Sequence, residues 1–258
     1  MSSAASIKPS QQSPRILGVI PARMESTRLP GKALRTICGR AMVHHVFERS
    51  RACRLLTELW VATDSQQIYD YCTQHQVPVL MTASNHQNGT ERIHEVMQKI
   101  PAEICVHIQG DEPMVDATHL QLLIEPFIKN SLIQVTSLKT PLDPAEAANP
   151  NVVKVVTDSE GRALYFSRAP IPYPRDVASS PAYFKHLGLY AYSRQALERY
   201  IGLPPSLLEQ TERLEQLRFL EHGIPIHLAE TPTDTIGVDT EEDLQAVTRY
   251  FEGLSGGC

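Results

Sequence analysis

The sequence predicts an α/β fold: a mostly parallel sheet with helices on both faces and a smaller β-rich part in its second half. Three observations carry that expectation. Apolar runs of strand length alternate with segments of helical spacing over the first 140 or so residues, the rhythm of βαβ units. The first run, ILGVI at 16–20, is continuously apolar, as a buried strand should be. Beyond about residue 140 the rhythm gives way to closely spaced strands around a turn, DSEG at 158–161.

The elements follow in order. After the 16–20 strand comes a loop rich in Arg, Ser, Pro and Gly that runs to about Gly39. Met42, Val43, Val46 and Phe47 then recur at helical spacing. Strands are expected at 59–63, 77–81, 104–108 and 133–138. Helices carrying Ile68 and Cys72, Ile93 to Ile100, and 116–129 separate them. Right-handed crossovers place such helices on both faces of the sheet. In the second half, 152–157 and 163–167 flank the turn as a hairpin, and 185–192 is another strand. One long amphipathic helix is expected over 207–220, then a strand at 224–229. Thr240-Glu241-Glu242-Asp243 resembles a capping box that opens a final helix. The expected organisation is an N-terminal tail over 1–14, one domain over 15–252 with its β-rich part at about 140–200, and a tail over 253–258.

Composition removes several function classes. The net charge is −5, from 24 basic and 29 acidic residues, so no bulk positive charge holds the chain to nucleic acid or to an anionic membrane. No apolar run is long enough to span a bilayer, so no membrane insertion is expected. The first 14 residues are polar and lack the apolar core of a secretory signal. The five cysteines are widely spaced without a CxxC pair. Free thiols in a reducing cytoplasm are the simplest expectation.

Three places carry chemistry. The loop PARMESTRLPGK at 21–32 follows the C-terminal end of the first strand, where open α/β sheets bind ligands. Arg23, Arg28 and Lys32, with two hydroxyls and a glycine, suit a polyphosphate. It fits neither the Walker spacing nor GxGxxG, and an ordinary solvated basic loop reads the same way. Asp111, just after a strand, faces the same crevice. Asp239 precedes a helix. Two carboxylates from separate segments beside a phosphate loop suit Mg²⁺, which takes oxygen ligands. A turn residue and a plain helix N-cap are the alternatives.

Eight motifs then appear in order: the PAR-x-x-STRLPGK loop, VATD at 61–64, NGTER at 88–92, IQGDEP at 108–113, ALYFSR at 163–168, HLGLYAY at 186–192, LEQLR at 214–218 and GVDTEEDL at 237–244. Together they closely resemble the 3-deoxy-manno-octulosonate (Kdo) cytidylyltransferase family over about residues 16–250. That resemblance implies the Rossmann-like nucleotide-diphospho-sugar transferase fold. It also implies a cytoplasmic homodimer that joins CTP and Kdo into CMP-Kdo and diphosphate, for lipopolysaccharide biosynthesis, with Mg²⁺ as cofactor.

The resemblance also implies site residues. Arg23, Ser26 and Lys32 match the triphosphate loop, Arg92 lies near the nucleotide and Gln109 near base and ribose. Asp111 and Asp239 match the metal ligands and, with Lys32 and Arg23, the catalytic set. Arg168, His186, Tyr190, Glu215 and Gln216 match the sugar-acid pocket. The loop at 170–182 falls in a variable part of the family. Asp111-Glu112-Pro113 and Glu91-Arg92 favour ordinary Kdo over its 8-amino analogue. Another sugar acid under the same chemistry, or a silent nucleotide-sugar-binding homologue, are the competing functions. The intact Arg23, Lys32, Asp111 and Asp239 argue against the silent one.

Overall fold

The computed structural model describes residues 13–26, 28–86, 88–176 and 181–255. Most of the 1–14 tail and the last three residues therefore lie outside the described residues. In chain order, β1 (Ile16–Ala22) leads through the basic loop to a small antiparallel pair, β2 (Thr36–Ile37) and β3 (Arg40–Ala41). The βα rhythm follows: α1 (Met42–Ser50), β4 (Glu58–Thr63), α2 (Gln66–Gln74), β5 (Val79–Met81), α3 (Gly89–Lys99), β6 (Ile104–His107), α4 (Ala117–Lys129) and β7 (Val135–Leu142). The second half holds β8 (Lys154–Thr157), β9 (Ala163–Ser167), β10 (Tyr183–Ser193), α5 (Arg194–Ile201), α6 (Leu207–Glu212), α7 (Gln216–Glu221), β11 (Ile226–Glu230) and α8 (Glu241–Ser255).

The main sheet has nine strands, ordered β11-β7-β10-β6-β1-β4-β5 with β8 and β9 branching from β10. Along that path β1, β4, β5 and β6 pair in parallel, as do β7 and β11; β10 is antiparallel to both its neighbours. The β-rich part is thus continuous with the main sheet rather than a separate layer. Buried side chains fill both faces. Val46, Phe47, Leu123 and Ile124 pack on one, and Ile93, Val96, Leu197 and Phe219 on the other. The continuous apolar runs of β1 and β6 follow from this, since both their faces are covered.

Several expectations change at this level. The helix expected over 207–220 is broken in two. Arg213 adopts a left-handed backbone (φ 55°) between α6 and α7, a conformation that no helix interior tolerates. The break turns 213–216 toward the cleft. Helix α5 was not read from the sequence, and α8 runs to Ser255, into the segment expected as a C-terminal tail. The hairpin at 152–166 is apolar in both phases, and it is partly covered within the chain, because Val155 and Phe166 are fully buried in its own core. Cys53, Cys72 and Cys105 are buried free thiols. Cys38 is disulfide-bonded, which departs from the expectation of free thiols throughout.

Candidate active site

The parallel strands deliver their C-terminal ends to one crevice. There lies a cleft of about 490 Å³, lined among others by Arg23, Lys32, Arg92, Gln109, Asp111 and Tyr190. That volume lies within the range of small-molecule sites. An adjoining cavity of about 450 Å³ carries Arg28, Glu112 and Asp239, and shares Lys185, His186 and Gly188 with the first.

Its centre is a three-way ionic contact. Lys32 donates from Nζ to Asp111 Oδ2 at 2.5 Å and to Asp239 Oδ1 at 3.1 Å. Arg28 reaches the other oxygen of Asp239 at 2.8 Å. Both carboxylates hold the Lys32 ammonium charged: burial alone would lower its pKa, yet it is raised. Main-chain geometry fixes the pair, since the Val238 amide donates to the Asp111 carbonyl at 2.8 Å. Asp239 does not cap α8. Thr240 and Asp243 form the expected capping box: the Thr240 amide and hydroxyl donate to Asp243 Oδ2, and the Asp243 amide donates to Thr240 Oγ1. That leaves the Asp239 carboxylate to the cations. Gly110 makes the approach possible, because a Cβ there would stand 2.6 Å from the Pro21 carbonyl oxygen.

The other expected nucleotide residues divide. Arg23 lines the cleft and is exposed, with no ion-pair partner among the described residues. Ser26 does not border the cleft; its Oγ accepts from the Leu29 amide at 3.4 Å. Arg92 borders the cleft, but its buried guanidinium donates to Asp64 at 2.6 Å and to Thr82 at 2.5 Å. That pairing braces VATD against NGTER and leaves less of Arg92 for a phosphate. Gln109 lines the cleft and donates to the Gly188 carbonyl at 3.2 Å.

Among the expected sugar-acid residues, His186, Tyr190, Glu215 and Gln216 all line the cleft. The break at Arg213 brings the last two there. Tyr190 stacks on Tyr192 with ring centroids 5.7 Å apart. Thr90 donates to Glu215 at 3.3 Å. His186 Nε2 meets Ser137 Oγ at 2.9 Å, and burial first, then the Lys185 charge, pull its pKa down to about 3. It is therefore a neutral ring and offers a hydrogen bond rather than a charge. Arg168 stands apart. It lines neither cavity, and its guanidinium donates to the carbonyls of Pro150 and Glu212 at 2.8 Å each.

The structure adds residues that the sequence reading left without a role. Glu112 is buried with Oε2 unpartnered among the described residues, and burial with the Asp111 charge pushes its pKa up to about 7. Lys185 holds Asp234 at 2.8 Å beside it. His107 borders the cleft from β6. Nothing in the sequence singles it out among the ten histidines.

The donor set suits a hard divalent cation. Among the described residues no cluster of three or more acidic, His or Cys groups could hold a metal. Asp111 and Asp239, however, already converge on one positive charge. Mg²⁺ commonly takes one or two carboxylates and completes its shell with water and phosphate oxygens, so two carboxylates beside a basic phosphate loop fit it.

Basic groups, paired acids and a strand-end crevice of this kind define a nucleotide-dependent transferase, and the cytidylyltransferase family profile matches residues 17–229. Within that class the chain belongs to the 3-deoxy-manno-octulosonate cytidylyltransferases. It is 52% identical over 233 residues to the enzyme so named from Koribacter versatilis, covering 90% of this chain and 88% of that one. It is 53% identical over 236 residues to its namesake from Acidobacterium capsulatum, covering 92% and 96%. A solved structure of CMP:2-keto-3-deoxy-manno-octonic acid synthetase complexed with CTP superposes with a TM-score of 0.90 at 41% identity, covering 93% of this chain and 99% of that one.

Proposed function

We propose that this chain transfers the cytidylyl group of CTP to Kdo, giving CMP-Kdo and diphosphate for lipopolysaccharide biosynthesis. The observation that carries the reading is the convergence of Lys32, Asp111 and Asp239 beside a cleft that also carries Tyr190, Glu215 and Gln216. Nucleotidyl transfer demands alignment and charge neutralisation more than covalent help. The anomeric hydroxyl of the sugar acid gives up its proton to solvent as its oxygen bonds to the α-phosphorus, and the bond from that phosphorus to the β-phosphate oxygen breaks, releasing diphosphate. Arg23 and Lys32 offset negative charge on the departing diphosphate. The neutral His186 orients the sugar acid with a hydrogen bond, and Gln109 serves the base and ribose of the nucleotide. Asp111 and Asp239 would hold Mg²⁺, which when bound would supply charge neutralisation and lower the pKa of an oxygen it contacts.

The test is diphosphate release from CTP with Mg²⁺ and a panel of sugar acids. Kdo giving the highest kcat/KM supports the reading. A higher value with an 8-amino or nonulosonate acid moves the assignment to that substrate, and no release with any acid sinks it. Removal of divalent metal by a chelator is expected to stop turnover, with recovery on adding Mg²⁺.

We further infer a homodimer in the cytoplasm, where CTP is available. No helix among the described residues is long and apolar enough to cross a membrane. Leu164 is 62% exposed on β9, which pairs only with β8 among the described strands. An apolar residue on an open strand edge wants cover, and twofold association is the commonest way to supply it. Sedimentation giving twice the 28.8 kDa chain mass supports the dimer, and a monomer mass that persists as concentration rises contradicts it.

A further inference from the structure

His107 closes β6, is 5% exposed, and has no hydrogen-bond partner among the described residues at either Nδ1 or Nε2. Burial pulls its pKa down to about 4, so the ring is neutral at physiological pH. A neutral imidazole carries one N–H donor and one bare acceptor. Left buried without partners, both lose hydrogen bonds that water would make. A phenylalanine would fill the same space without that loss.

The ring is held in place and faces the cleft. Gly89, at the start of α3, lies against it: a Cβ there would stand 3.0 Å from Cε1 and Nε2. The β6–β10 register pairs His107 with Tyr190, and both residues line the cleft with Gln216. So a neutral donor–acceptor pair, rigidly mounted, borders the part of the cleft assigned to the sugar acid.

We propose that His107 is a substrate-binding residue that hydrogen-bonds a hydroxyl group of the sugar acid. A hydroxyl both donates and accepts, so it satisfies either tautomer of the ring. A phosphate is the poorer match, because a neutral ring brings it no charge. The inference rests on the cytidylyl-transfer reading of the cleft.

The test compares His107→Phe, which keeps a ring of similar size, with His107→Asn, which keeps a donor and an acceptor. Sugar-acid KM is measured at saturating CTP, CTP KM at saturating sugar acid, and thermal stability for each variant. The expected result for His107→Phe is a rise in sugar-acid KM of about ten-fold, the scale of one neutral hydrogen bond, with CTP KM nearly unchanged. Its melting temperature should equal or exceed that of the parent chain, since an unsatisfied buried group is removed. His107→Asn should recover part of the sugar-acid KM. If His107→Phe does not fold, His107→Leu carries the same expectation. An unchanged sugar-acid KM, or a rise confined to CTP, overturns the proposal while the parent reading stands. A parent chain that releases no diphosphate with any sugar acid overturns both.

Discussion

Lys32 and Asp111 meet at 2.5 Å although 79 residues separate them, and the same ammonium reaches Asp239 from the far end of the chain at 3.1 Å. One lysine therefore ties the first βα loop to the β6 loop and to the approach to α8. Asp111→Asn and Asp239→Asn keep side-chain size and remove one charge. Each should lower kcat by about a hundred-fold or more, the scale of losing one preorganised electrostatic group, with little change in melting temperature. Steady-state rates beside a thermal melt check it, and near-full Mg²⁺-dependent activity in either variant removes that residue from the metal site.

Lys32→Ala and Arg23→Ala should act chiefly on CTP. A charge-assisted hydrogen bond contributes about 1.5–3 kcal/mol, so kcat/KM for CTP should fall by about 10–150-fold. The two differ in the ligand-free protein. Arg23 has no ion-pair partner among the described residues, and its loss should leave stability alone. Lys32→Ala leaves two carboxylates without their shared cation and should lower the melting temperature.

Arg92 makes the opposite case. Its guanidinium is buried on Asp64 and Thr82, so Arg92→Ala strands a carboxylate. Breaking a buried pair from one side costs about 3–5 kcal/mol. Denaturant unfolding should show a loss of that size, whereas a stable but CTP-insensitive variant would assign Arg92 to the nucleotide instead.

Gly110→Ala tests the backbone approach. The added methyl would stand 2.6 Å from the Pro21 carbonyl oxygen, so either β1 or the Asp111 loop must shift. Overpacking of that kind costs about 1–3 kcal/mol, and displacement of Asp111 should lower kcat as well. An alanine variant with parental rate and stability would contradict the geometry.

Acid should destabilise the fold through its buried rings. His107 and His186 titrate near about 4 and about 3 when folded, against about 6.5 when unfolded. Below about pH 6.5 the unfolded chain binds the extra protons, so stability falls as pH drops, by about 1.4 kcal/mol per unit for each ring. Glu112, raised to about 7, acts the other way between roughly 4.5 and 7, because there the folded state holds the extra proton. His107→Phe removes one of these rings and should make the loss of stability between pH 7 and pH 5 shallower by one proton's share, which urea unfolding at the two pH values reads directly. An unchanged slope would contradict the buried, neutral assignment of His107.

How far the sequence carried the account follows from what each signal encodes. The βα rhythm was legible because β1, β4 and β6 are buried on both faces and read as unbroken apolar runs. The Thr240 capping box was legible because it is local. The break at Arg213 was not. Leu207, Leu214 and Leu217 keep helical spacing across it, and a left-handed arginine has no signature in composition. Lys32, Asp111 and Asp239 were legible as separate candidates, but their shared contact depends on the sheet bringing three loops together. Arg168 matched a motif by order alone, and the structure spends its guanidinium on main-chain carbonyls. His107 carries no signal of its own in the sequence, because an unpartnered ring is a fact of packing.

The measurement that bears most directly on the central claim is diphosphate release by the purified chain with CTP, Mg²⁺ and Kdo, set beside Asp111→Asn and Asp239→Asn. The account predicts metal-dependent release with Kdo by the parent chain and its near-loss in both variants. Release that is absent with Kdo, or that survives the loss of both carboxylates, would contradict it.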